Sequence, residues 1–207
     1  MSAVSVVRRR LAGDFEVDEW GLDADAVSVL SPLFGLRWSI DVSGAASVPR
    51  SGGALLVHNR RFGRSEPFVV ARAVRLEAGR QVRVAGAPDV PVVGPAVRRL
   101  GAVLHQSDEI ASVLRAGHVV AVGLGRTPSK RSAVGAVDVD SMAEARRIGV
   151  PVHPVGLIGR EHRRRWRVAI GTAMGTEWGT GEPDDPGAAE AVRVAVAGLI
   201  GADGAGR

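Results

Sequence analysis

The chain has 207 residues, of which 45% are apolar, and 27 Lys and Arg residues against 22 Asp and Glu residues give it a formal charge of +5. A chain of this length can bury enough apolar surface to fold without a metal ion or a disulfide. It contains no Cys, which excludes disulfides, thiolate metal sites and cysteine nucleophiles. Its apolar runs are shorter than the roughly 20 residues that a membrane span needs. These features indicate one soluble globular domain.

The opening of the chain is charged and lacks the apolar core of a signal peptide, which favours a cytoplasmic protein. Residues 1–34 are predicted to form a charged arm followed by a short helix, which begins near Asp23 and is interrupted near Pro32. Residues 35–207 are predicted to form the main domain. Its first strand is indicated by Trp38, Ile40 and Val42, which alternate with polar residues.

Strands and helices then alternate along the rest of the chain. The apolar run 54–57 is typical of a strand that is covered on both faces, and Ser65 is a plausible N-cap for a helix over 66–77. Further strands are predicted at 81–85, 102–105, 118–122, 150–158 and 166–170, and further helices at 91–99, from Asp108, at 142–149 and after Asp185. This alternation predicts an α/β fold with a mostly parallel central sheet that is flanked by helices.

Ligand sites of parallel sheets lie at the C-terminal ends of strands. Loops 58–65 and 123–137 follow two apolar strands and carry polar groups, so we predict the site there. The run RRRWR at 163–167 sets Trp166 among arginines, an arrangement that suits anionic lipid headgroups or nucleic acid. The aromatic content of only 4% offers few stacking platforms for bases, and therefore favours peripheral contact with an anionic membrane over nucleic acid.

Four stretches occur in an order that is similar to a known family. WSIDVSGAASVPRSGGALLVHN contains a strand, a turn with Gly and Pro, and an apolar strand that ends in a His-Asn pair. RRLGAVLHQ, LRAGHVVAVGLGRTPSKR and RIGVPVHPVGLIG follow. In this order they resemble the glycerophospholipid acyltransferases, which include glycerol-3-phosphate and lysophosphatidate acyltransferases. The opening RRRLAGDFEVDEWGLD also looks like the leader of a bacterial subgroup of this family. The resemblance therefore runs from about residue 8 to about residue 175 and implies an acyltransferase-like sandwich.

The resemblance also implies roles for individual residues. In the family, a His at the end of the first buried strand is the general base, and an Asp five residues later orients it. Here His58 takes the first role and Glu66 the second, although the order Asn-His is inverted and Glu66 follows His58 by eight positions. Candidate substrate-binding residues, which would contact a phosphate, are Arg61, Arg64, Arg126, Thr127, Lys130 and Arg131.

Two further family motifs are altered. Gly123, Leu124 and Gly125 stand where the family has Pro, Glu and Gly, so the carboxylate of that motif is absent. The substrate-binding Arg of the second motif is replaced near His105. His105 and His153 fall at predicted strand positions and are interpreted as core or rim histidines rather than as catalytic ones.

The function that the resemblance implies is transfer of an acyl group from a thioester to a glycerol-phosphate or lysophospholipid acceptor. Acyl-coenzyme A or acyl carrier protein would be the co-substrate, with no other cofactor and no metal, because no set of His and carboxylate residues has ligand spacing. The alternative is a catalytically impaired pseudoenzyme of the same fold that binds lipid or a protein partner. A nucleotide-binding loop is disfavoured because GLGRTPSK lacks the required glycine spacing.

Overall fold

The structure is a computed structural model of the whole chain. It describes residues 8, 12–13, 16–60, 65–126, 134–160, 163–174 and 185–202.

Seven strands of the described chain form a single sheet. They are β1 (Ser39–Ser43), β2 (Ala54–Arg60), β3 (Val82–Ala85), β4 (Ala102–Val103), β5 (Val119–Arg126), β6 (Val152–Ile158) and β7 (Arg165–Ile170). Their order across the sheet is β1-β7-β6-β2-β5-β3-β4. The pairing of β6 with β7 is antiparallel, and the other pairings between these strands are parallel. The predicted fold class, a mostly parallel sheet flanked by helices, is confirmed.

Helices cover both faces of the sheet. The α-helices of the described chain are α1 (Ala24–Arg37), α2 (Glu66–Ala78), α3 (Val93–Arg99), α4 (Ser107–Arg115), α5 (Val139–Ile148) and α6 (Pro186–Ala202), and α2, α4, α5 and α6 pack on the sheet. One apolar core lies between the sheet and α2, where Val69, Val70 and Val74 are buried. A second core on the opposite face joins the sheet to α4, α5 and α6. The central strand β2 is therefore buried on both sides, as its continuous apolar run predicts.

Helix α1 differs from the prediction. Pro32 lies inside α1 and does not interrupt it, so the predicted break is wrong. A proline removes one hydrogen bond of the helix ladder, and Pro32 is exposed, where water can satisfy the carbonyl group that loses its partner.

Trp166 also differs from the prediction. It is only 3% exposed and packs in the core beside α2, whereas Arg165 and Arg167 on either side of it are exposed. Successive side chains of a strand point to opposite faces, so β7 buries the indole and leaves its arginine neighbours in water. The prediction that Trp166 lies at a membrane or nucleic-acid surface is therefore wrong.

Candidate functional site

The two segments that the sequence predicts as loops both begin in strands, because β2 continues to Arg60 and β5 continues to Arg126. Strands β2 and β5 are parallel neighbours, with His58 paired to Gly123 and Arg60 paired to Arg126. The register shifts between His58 and Arg60, so β2 ends in an irregular step. Because β3, β4 and β6 run in the same direction as β2 and β5, their C-terminal ends share this edge of the sheet. We refer to it as the C-terminal edge.

His58 is completely buried at the end of β2. Its Nδ1 lies 3.0 Å from the carbonyl oxygen of Asn59, which can only accept, so Nδ1 carries the proton. Nε2 then holds the lone pair, and it is buried without a hydrogen-bond partner among the described residues. Burial lowers the pKa of His58 to about 4; the Asn59 carbonyl opposes this shift and the positive charge of Arg60 adds to it. His58 is therefore neutral near pH 7.

Asn59 joins the end of β2 to β6. Its Nδ2 donates to the carbonyl oxygen of Leu157 at 3.0 Å, and its Oδ1 accepts from the Leu157 N–H at 2.7 Å. The backbone ladder between these strands ends with His58 and Val155. The side-chain amide of Asn59 thus supplies the next donor and acceptor, which holds the step after His58 in place.

Glu66 begins α2 and is buried, but it is not hydrogen-bonded to His58. The Ser65 hydroxyl makes no capping hydrogen bond, although the helix does begin directly after it. Residues 61–64 connect the two candidate catalytic side chains and lie outside the described residues, as do Thr127, Lys130 and Arg131. Of Arg126 the structure describes the backbone, at the end of β5. Of the predicted site residues, the structure thus describes the side chains of His58 and Glu66.

Glycines shape the approach to this edge. A Cβ atom on Gly123 would overlap the Cδ atom of Arg60, so the bare backbone of Gly123 leaves room for the Arg60 side chain to cross β5. At the base of the second loop, the Gly125 N–H donates to the Ala136 carbonyl at 2.8 Å. A Cβ atom on Gly135 would overlap the Gly125 carbonyl oxygen. In the altered motif 123–125, Gly123 therefore makes room for the Arg60 side chain, and the backbone of Gly125 packs against that of Gly135.

A second polar cluster lies at the same edge, and the sequence interpretation missed it. The Nε2–H of His105 donates to the Asp138 carboxylate at 2.8 Å, and the Ser141 hydroxyl donates to the same oxygen. These hydrogen bonds lower the pKa of Asp138, and the His105 contact is the largest cause. The Asp138 hydrogen bond raises the pKa of His105 above its ordinary value, against burial and the charge of Arg60.

His105 and His153, both predicted to be core or rim histidines, have different environments in the structure. His153 is buried, with its Nδ1 donating to the Gly171 carbonyl at 3.1 Å, as expected of a core histidine. His105 lies beyond β4, which ends at Val103, and its side chain is 40% exposed. The sequence signal that could have revealed this cluster is Asp138, the N-cap residue of α5, because the helix dipole stabilises an ionised carboxylate at a helix start.

The described residues contain no converging group of three or more His, Asp and Glu side chains that could hold a metal ion. Among the helices described, none is both long enough and apolar enough to cross a bilayer.

Comparison with known proteins identifies similar chains and one similar fold. No family model matches the sequence. Uncharacterized proteins of Mycobacterium bovis and Mycobacterium tuberculosis are 32% identical over 175 residues, covering 75% of this chain and 48% of theirs. An uncharacterized protein of Mycobacterium leprae is 30% identical over 240 residues, covering 87% of this chain and 64% of its own length. The chain thus spans about half to under two thirds of the curated relatives that it matches.

Among solved structures, the 1-acyl-sn-glycerophosphate (LPA) acyltransferase PlsC from Thermotoga maritima matches with a TM-score of 0.63. The match covers 99% of this chain and 90% of that protein, at 16% sequence identity. A likeness at this identity shows the fold. The chain therefore has an acyltransferase-like fold.

Proposed function

We propose that this protein transfers an acyl group from a thioester donor, acyl-coenzyme A or acyl carrier protein, to a glycerol-phosphate or lysophospholipid acceptor. The observation that carries the proposal is the match of nearly the whole chain to the fold of an LPA acyltransferase, with polar groups clustered at the C-terminal edge. Ligands of parallel sheets bind at such edges. Arginine at this edge also suits a phosphate-bearing acceptor, because a guanidinium can form paired hydrogen bonds with phosphate oxygens.

The family resemblance gives the base role to His58, the orienting role to Glu66 and phosphate contacts to the six candidate residues of the two loops. A general base must be neutral before it accepts a proton, and His58 meets that requirement near pH 7. The Asn59 carbonyl fixes its tautomer so that Nε2 is the accepting atom. These assignments are proposals that a His58→Ala variant tests.

Contact with a membrane surface is part of the proposal, because a lysophospholipid acceptor resides in a bilayer. The loop after β3 exposes Val90, Val92 and Val93, and Val92 is 82% exposed. Its φ of 71° is a backbone conformation that β-branched residues rarely adopt. This apolar segment follows the C-terminal end of β3, and we propose that it meets the bilayer on the side where the acceptor binds.

A second candidate function is lipid or partner binding without catalysis. The burial of His58 favours it, because the ring is completely buried and a pKa of about 4 makes it a weak base. On this hypothesis the fold keeps its binding edge but not its chemistry.

The experiment that separates the two functions is an acyl-transfer assay. Purified protein is incubated with acyl-coenzyme A and, separately, glycerol-3-phosphate and a panel of lysophospholipids in vesicles, and the ester product is quantified beside a protein-free control. Product above the control supports the acyltransferase. Product equal to the control for every acceptor refutes it, and sedimentation with anionic vesicles then tests the binding function.

A further inference from the structure

The resemblance places an acidic residue beside His58. At the same C-terminal edge of the sheet, a different histidine, His105, is hydrogen-bonded to an acidic residue, Asp138. His105 follows β4 and Asp138 precedes α5, and the two residues are brought together across 33 positions of the chain. The charge of Arg60, at the end of β2, acts on both His58 and His105. The His105–Asp138 pair therefore lies within electrostatic reach of the same end of β2 as the predicted site.

The geometry of this pair is that of a histidine held by a carboxylate. Asp138 accepts the Nε2–H of His105, so the lone pair of the ring is on Nδ1. Asp138 is itself fixed by the Ser141 hydroxyl and by the backbone N–H of Asp140, in the first turn of α5. The side chains of His105 and Asp138 are 40% and 26% exposed. The His105 ring is thus oriented by Asp138 and is also exposed to solvent.

We propose that His105, oriented by Asp138, is the general base of the acyl transfer proposed above. Nδ1 takes the proton of the acceptor hydroxyl while the hydroxyl oxygen bonds to the thioester carbonyl carbon. The carbon–sulfur bond then breaks, and the imidazolium returns the proton to the departing thiolate. An alcohol and a thioester thereby give an oxygen ester and a free thiol, with no other reactant. Asp138 and Ser141 are positioning residues in this scheme.

This inference rests on the acyl-transfer function and gives His105 the role that the resemblance gives to His58. The two assignments differ in accessibility, because the His58 ring is completely buried. They also differ in basicity. Among the described residues, the hydrogen bond and charge of the Asp138 carboxylate outweigh burial and the Arg60 guanidinium, which raises the pKa of His105 above its ordinary value of 6.5. Proton transfer is most efficient when the pKa of the base lies near the working pH.

The test is the pH dependence of kcat/KM for transfer from acyl-coenzyme A to lysophosphatidate vesicles. We expect the rate to fall on the acid side of a pKa above 6.5; a base at His58 would hold its rate down to about pH 4. His105→Ala should lower kcat by roughly 10²–10⁴-fold, the usual contribution of a general base. Asp138→Asn should lower kcat more than it raises KM, and should move the acid limb to lower pH, because its hydrogen bond is the main cause of the raised pKa.

The matched control is His118→Ala. His118 is a half-buried histidine directly before β5, at the opposite edge of the sheet, where its ring contacts Trp20 at 5.2 Å. This variant should keep the wild-type rate. Thermal unfolding of each variant checks the fold, and His105→Gln, which keeps a polar side chain of similar reach but cannot act as a base, decides the matter if His105→Ala does not fold.

The outcomes separate the inference from the function. A wild-type protein that transfers acyl groups while His105→Ala or His105→Gln retains its rate leaves the function standing and overturns the role of His105. An acid limb near pH 4 overturns it as well. A wild-type protein that forms no ester with any acceptor overturns both.

Discussion

Replacement of Asn59 by Ala should destabilise the protein more than a typical surface substitution, because Asn59 continues the hydrogen-bond ladder between β2 and β6. The substitution removes two hydrogen bonds and leaves the buried N–H and carbonyl groups of Leu157 without those partners. A buried polar group that loses its partner costs about 1–3 kcal/mol, so the two together give a loss of about 2–6 kcal/mol. For a chain of this size, each kcal/mol lowers the melting temperature by about 2–4 °C, which predicts a decrease of about 4–24 °C.

Urea unfolding monitored by circular dichroism measures this loss, and Asn59→Asp is the informative comparison. An ionised Asp keeps an acceptor for the Leu157 N–H but cannot donate to its carbonyl group, whereas a protonated Asp can do both. Burial should raise the pKa of this Asp above its ordinary value, so its contribution to stability falls as the pH rises through that pKa. Relative to wild type, Asn59→Asp should therefore be less destabilised at pH 4 than at pH 7. A loss below about 0.5 kcal/mol for Asn59→Ala, which is within the surface range, would refute the reasoning.

Three other predictions follow from single features. The guanidinium of Arg83 is buried and paired with Asp18, so Asp18→Asn should lower the free energy of unfolding in urea by about 2–4 kcal/mol, because it leaves a buried charge unpaired. Adding Arg83→Met should recover much of that loss. Equal stability of Asp18→Asn and wild type would show that the pair contributes nothing. Burial lowers the pKa of His58 from 6.5 to about 4, so the unfolded chain binds more protons than the folded one between these values, and His58 should lower the free energy of unfolding by up to ~3 kcal/mol as the pH falls through this window. His58→Gln should reduce this decrease in urea unfolding, and the part that remains belongs to His118 and His153, whose pKa values are also lowered; an unchanged decrease in the variant would contradict the prediction. Val92→Asp should weaken sedimentation with anionic vesicles without lowering the melting temperature, because Val92 is exposed; equal pelleting of both proteins would remove segment 90–93 from the membrane contact.

Much of the fold could be predicted because its signals are local. The apolar run 54–57 indicates a strand buried on both faces, and the Ser65-Glu66-Pro67 sequence marks the start of α2. These patterns depend on residues within a few positions of each other, which fix the period of burial and the helix ends. The parallel pairing of β2 with β5, on which the predicted position of the site depends, also agrees with these patterns.

The tertiary structure decided which distant residues meet. Asn59 bonds to a residue 98 positions away, and His105 meets Asp138 across 33 positions. Such contacts depend on strand order and register, which are set by packing of the two cores rather than by any local pattern. The same is true of Trp166, whose side of the sheet follows from the register of β7, although its arginine neighbours indicate a surface. The sequence by itself determined the alternating elements and the edge that carries polar groups, whereas only the folded sheet determined that His105 lies beside Asp138.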